Sequence, residues 1–159
     1  MLKLTIFSTL YLILQSLCGI NAISGWQIAD RADFYIGETL WNFASDHRSG
    51  PGTNKCNFFV ADVIWEAGGA VPHRYFGISG PIGAGEWGNP NSTYLSDDEC
   101  WHNVNSPQIG DVMGDGVHVA IITGRRKTTS AASHEVVKND WGFRREQRNT
   151  QFTYWRYIC

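Results

Sequence analysis

Two residues of this chain have the type and the setting needed for nucleophilic chemistry on a carbonyl: Cys56 and His118. Cys56 opens onto a segment running to Ala67 in which Phe59, Val60, Val63, Ile64 and Ala67 share one apolar stripe at helical spacing. Thr53 or Asn54 would serve as N-cap and the Gly68-Gly69 pair as C-cap, which predicts that the thiol sits in the first turn of a buried helix. The partial positive charge at a helix N-terminus favours the thiolate, the nucleophilic form of cysteine. First-turn backbone N–H groups also point outward, where one can stabilise the oxyanion formed on an attacked carbonyl.

A thiol nucleophile needs a base, and histidine suits the role because its pKa lies near working pH. His47 precedes Ser49-Gly50 in a loop, His73 follows Pro72, His102 follows Trp101, and His134 begins a strand. His118 differs from these. It opens the apolar run Val119-Ala120-Ile121-Ile122 just after the turn Asp115-Gly116, and a strand edge is rigid enough to hold a catalytic imidazole. A third polar group should accept the other ring N–H. The candidates are Asn139 and Asp140 on the following strand, with Glu135 further back, and Asn139 is preferred.

The elements that must position these groups divide the chain by kind. Ile36, Leu40, Trp41 and Ala44 fall at helical spacing, predicting a helix over 36–46 that ends at Ser49-Gly50-Pro51-Gly52. Residues 70–108 are rich in Gly, Pro, Asn and Ser and are expected to be a long irregular insertion. Strands are predicted at 110–113, 117–123, 128–132, 135–139 and 152–158, with a turn at Gly124-Arg125-Arg126-Lys127. N-terminal helices packed on a small antiparallel sheet make an α+β fold.

Export shapes the cysteine count. Met1-Leu2-Lys3, an apolar run from Leu4 to Leu14 and a small residue at Ala22 have the layout of a cleaved secretory leader, residues 1–22. Removing those 22 of the 159 residues leaves 137, residues 23–159, enough for a single domain. The net charge of −2 is unevenly spread, with the basic residues concentrated after residue 124, which reads as a solvated basic face. Cys18 departs with the leader, leaving Cys56, Cys100 and Cys159. In an oxidising compartment two should pair, and Cys100 with Cys159 is the expected bridge because it would tie down a chain end. Cys56 is then the odd thiol.

Other patterns lack their context. Gly83-Ala84-Gly85-Glu86-Trp87-Gly88 fits a nucleotide-binding glycine pattern, but no strand precedes it and Asn89-Pro90 follows. Cys100-Trp101-His102 lacks further ligands at zinc spacing, so no metal is expected. Asn91-Ser92-Thr93 is a glycosylation sequon usable at Asn91 in a eukaryotic host.

In order, Asn54-Lys55-Cys56-Asn57-Phe58-Phe59-Val60, Ala84-Gly85-Glu86-Trp87, Gly110-Asp111-Val112, His118-Val119-Ala120-Ile121 and Asn139-Asp140-Trp141-Gly142-Phe143-Arg144 resemble the NlpC-like and CHAP-like cell-wall amidases. The likeness is greatest to the amidase effectors of type VI secretion and their animal relatives, the domesticated amidase effectors, and runs from about Phe34 to Tyr157. It implies a papain-like fold, no cofactor, and a secreted, extracellular, antibacterial cysteine hydrolase cutting amide bonds in peptidoglycan stem peptides or cross-links. It makes Cys56 the nucleophile and His118 the base, and in the NlpC-like pattern the third member falls near Ser130. Glu86, Trp87 and Trp141 are expected on the cleft wall. Bacterial peptidoglycan is the expected partner of a monomer that engages neither nucleic acid nor, once the leader is removed, a membrane. The alternatives are a wall-binding protein that has the fold without the catalysis, and an acyltransferase working through the same thioester.

Overall fold

A computed structural model describes residues 22–75, 79–141 and 151–159. The expected leader lies outside these residues except for Ala22, and Gly142-Phe143-Arg144 lie outside them too.

The first helix, α1, spans Gly25–Phe34. Ser24 and Gln27 close a capping box at its start: the Gln27 N–H donates to Ser24 Oγ at 3.3 Å, and the Ser24 N–H donates to Gln27 Oε1 at 2.8 Å. Ile28, Ala29 and Ala32 form its buried face. The helix predicted over 36–46 does not form. Gly37 turns the chain at φ +89°, and Arg48, Gly50 and Gly52 also have positive φ, so residues 35–52 make a strap of successive turns. Of the apolar residues that suggested a helix, Trp41 is buried, whereas Ile36 and Leu40 are each 47 % exposed.

The second helix, α2, spans Cys56–Glu66 and buries Phe59, Val60, Val63 and Ile64, as predicted. Its end is a Schellman turn: the Gly68 N–H donates to Trp65 O at 3.0 Å and the Gly69 N–H to Ile64 O at 2.8 Å, with Gly68 at φ +100°. Its start differs from expectation. The N-cap is Lys55, not Thr53 or Asn54, and no side chain caps the first turn.

Among the described residues six strands form the main sheet in the order β3-β8-β4-β5-β6-β7, antiparallel throughout. The strands are β3 (Trp101–Asn103), β4 (Val112–Gly114), β5 (Val119–Gly124), β6 (Lys127–Ala131), β7 (Val136–Asp140) and β8 (Thr153–Tyr157). Five of the six fall on predicted segments. Val112 stands opposite Ile121 on one side and Trp155 on the other, and these join Ile28, Phe59, Val60 and Val63 in the core between sheet and helices. The architecture is α+β.

The segment 70–108 is more ordered than its composition suggests. It contains a two-strand ribbon of β1 (His73–Arg74) and β2 (Ser79–Pro81), the single-turn helices α3 (Ala84–Trp87) and α4 (Thr93–Ser96), and the edge strand β3. Cys100 and Cys159 form the expected disulfide with Cα atoms 5.1 Å apart, and the Ile158 N–H donates to Cys100 O beside it. Among the described residues no helix is long and apolar enough to cross a membrane.

Candidate active site

Cys56, His118 and Asn139 line one cavity of about 250 Å³, together with Phe43, Asn54, Lys55, Val117 and the small residues Ala131, Ala132 and Ser133. Three parts of the fold meet there: the start of α2, the turn entering β5, and the β6–β7 pair. Cys56 is buried at 5 % exposure, so the cavity is its approach to solvent. Among the described residues no side chain caps α2, whose first-turn N–H groups carry the positive end of the helix dipole.

His118 is placed by a turn that Asp115 organises. One oxygen, Oδ1, accepts from the backbone N–H of Val117 at 2.9 Å and of His118 at 2.6 Å, while Gly116 supplies the positive φ the reversal requires. The Asp115 N–H then donates to His118 O at 3.1 Å, leading into β5. Helix α3 lies directly on this turn. A Cβ on Gly88 would stand 1.9 Å from Gly116 N, and one on Gly114 would stand 2.6 Å from Trp87 C, so neither position has room for a side chain. The Ala-Gly-Glu-Trp-Gly segment therefore buttresses the histidine turn.

That placement bears on the residues expected along the cleft wall. Trp87 is 1 % exposed and packs edge-on against Trp101, with ring centroids 5.0 Å apart. Glu86 accepts from Ser92 Oγ at 2.6 Å, joining α3 to α4. Trp141 lies 5.7 Å from Tyr154, centroid to centroid. None of the three lines the cavity that holds Cys56. Asn91 is exposed between α3 and α4.

The candidates for the third polar group separate clearly. Asn139, in register with Thr128, lines the cavity. Asp140 turns to Lys127, whose ammonium lies 2.5 Å away and holds the carboxyl below its usual range. Ser130 is buried in β6 opposite Val137, and Glu135 is exposed beyond β7; neither lines the cavity. If Asn139 orients the imidazole, Asn139→Ala should lower kcat on the order of 10²-fold, whereas Asp140→Ala should stay within about twofold. Equal losses in the two variants would reject that assignment.

Two contributors escaped sequence reasoning. Asp115 carries the Asp-Gly signature of a tight turn, a signal that was available. Lys55 carries none, since a lone lysine between polar residues reads as surface, yet it is 1 % exposed. Its Nζ donates to Asn42 O at 3.2 Å, Gly50 O at 2.9 Å, Thr53 O at 3.2 Å and Thr53 Oγ1 at 3.3 Å, gathering the strap around one ammonium. Asp62, on α2, holds the same strap from its other side. It accepts from Trp41 Nε1 at 2.8 Å, and His47 Nε2 and the Arg48 guanidinium lie at 2.9 and 2.5 Å.

Chemically, the arrangement can hold a thiolate at a positive helix end, pass a proton through an imidazole, and offer amide donors to an oxyanion. Among the described residues no cluster could hold a metal ion. Comparison with family models, with curated proteins and with solved structures finds no match for this chain.

Proposed function

We propose that the chain is a secreted cysteine hydrolase of papain-like fold that cleaves amide bonds in bacterial peptidoglycan, in stem peptides or in their cross-links, as an antibacterial activity. The observation that carries this reading is the cavity shared by Cys56, His118 and Asn139, with the cysteine at the uncapped start of a buried helix. A helix that begins with the nucleophile and packs on an antiparallel sheet supplying the base is the arrangement a papain-like enzyme needs. The substrate class comes from the resemblance of the motifs around Cys56, His118 and Asn139 to wall amidases. The disulfide supports an oxidising, extracellular setting.

In the proposed reaction the Cys56 thiolate attacks a stem-peptide carbonyl, forming a C–S bond while first-turn amides of α2 stabilise the oxyanion. Collapse breaks the C–N bond, and His118 gives its proton to the leaving amine. Water, deprotonated by the same imidazole, then cleaves the thioester and returns carboxylate and thiol. Asn139 orients the ring.

The test is to incubate the protein with purified peptidoglycan and read the released fragments by mass. Fragments heavier by one water at a cut amide are the expected result. Wall binding without new fragments would replace the hydrolase by a binding protein, and fragments joined through new amides would replace it by an acyltransferase.

A further inference from the structure

We infer that Lys55 is a positioning residue for the nucleophile: its buried ammonium supplies the positive charge that favours the Cys56 thiolate, while its hydrogen bonds build the strap forming one wall of the cavity. The inference rests on the reading of Cys56 as the nucleophile.

An ammonium withdrawn from water is costly unless it is compensated by hydrogen bonds and by a counter-charge. Lys55 has the first: every partner of Nζ is an acceptor, three carbonyls and one hydroxyl, which is the environment an NH₃⁺ group requires. It lacks the second, because among the described residues no carboxylate forms an ion pair with it. The acid that holds the strap from α2, Asp62, is engaged by His47 and Arg48 instead.

Lys55 precedes Cys56 in the chain, occupies the N-cap position of α2, and lines the cavity with Cys56 and His118. Among the described residues, the ionisable groups lining that cavity are Lys55, Cys56 and His118. Asp115, behind His118, turns a carboxylate oxygen onto the amides of its own turn. On this inference the anion that forms when Cys56 ionises supplies a counter-charge to that ammonium. An opposite charge close by lowers a thiol's pKa, and here it adds to the effect of the helix N-terminus.

The strap gives the same residue a second consequence. Lys55 binds the carbonyls of Asn42, Gly50 and Thr53, and the flanking Phe43 and Asn54 line the cavity. A structural tie alone would leave thiol ionisation untouched.

The experiment reads the thiolate directly, without peptidoglycan, so its failure is distinct from a failure of the hydrolase reading. The rate of iodoacetamide alkylation is measured against pH on the peptide carrying Cys56, resolved by mass, in wild type, Lys55→Met, Lys55→Arg and His118→Ala. The midpoint in Lys55→Met is expected to rise by at least about one pH unit, with about a tenfold slower reaction below it, while Lys55→Arg stays near wild type. His118→Ala keeps Lys55 intact and tests the inference even if Lys55→Met does not fold. Its midpoint is expected to remain below the ordinary thiol value of about 8.5. A folded Lys55→Met with the wild-type midpoint, or a His118→Ala midpoint at the ordinary value, would overturn the inference.

Discussion

Replacing Cys56 with alanine is expected to lower the release of peptidoglycan fragments on the order of 10⁴-fold or more, to the limit of detection. The size follows from the role: without the sulfur no thioester forms, and the remaining amides and imidazole can only assist direct attack by water. The change should leave the fold in place. Cys56 is a small residue at the edge of the core, and its loss opens little space. His118→Ala should fall to a similar level, and the double variant should be no worse than either single one, because residues that act as a unit are not additive. A Cys56→Ala protein that still cuts peptidoglycan at more than about a tenth of the wild-type rate would remove the nucleophile from the mechanism. Losses that multiply in the double variant would show that Cys56 and His118 act apart.

Opening the Cys100–Cys159 bridge by replacing both residues with serine should destabilise the protein by about 4 kcal/mol, the chain-entropy value for a closed loop of this length. For a domain of this size that corresponds to a fall in Tm of roughly 10–15 °C. The folded state should otherwise keep its shape, since β3 remains paired to β8 through Trp101, His102 and Asn103. The bridge lies on the β3–β8 side of the sheet, and the cavity is formed on the β5–β7 side. Activity at low temperature should therefore survive in the double-serine variant. Calorimetry checks the first expectation, and a Tm within about 3 °C of wild type would refute it.

The second half of the fold was readable from sequence because its strands alternate or run apolar between strong turn signals, such as Gly110-Asp111 and the Gly124–Lys127 hairpin. The first half was less so. The spacing of Ile36, Leu40 and Trp41 imitates a helix, yet Gly37 breaks it, and only Trp41 goes inside to give its indole N–H to Asp62. The helix one segment earlier was not predicted: only Ile28, Ala29 and Ala32 are buried in it, too few to show an apolar period, and its one local signal is the Ser24–Gln27 capping box. Strand β3 is three residues long, too short to show a period, and is held by its neighbour β8 and the adjoining bridge. At the site, the helix start identified Cys56 and the strand edge identified His118. Phe43 joins the cavity only because the strap folds back onto Lys55, and no local rule encodes that return.

The same bridge has a bearing on proteolysis. Residues 101–158 lie inside a covalent loop that contains His118 and Asn139, whereas Cys56 lies outside it. A protease that cut once at the exposed Arg125-Arg126 turn would leave two pieces joined through sulfur, parted only by a reductant. A single cut between Cys56 and Cys100 would instead leave the thiol and the imidazole on separate chains. Cuts in the segment 67–99 are thus the ones that would part the two groups, and among its described residues a small ribbon, two short helices and the packing of Gly88 on Gly116 hold the chain in place.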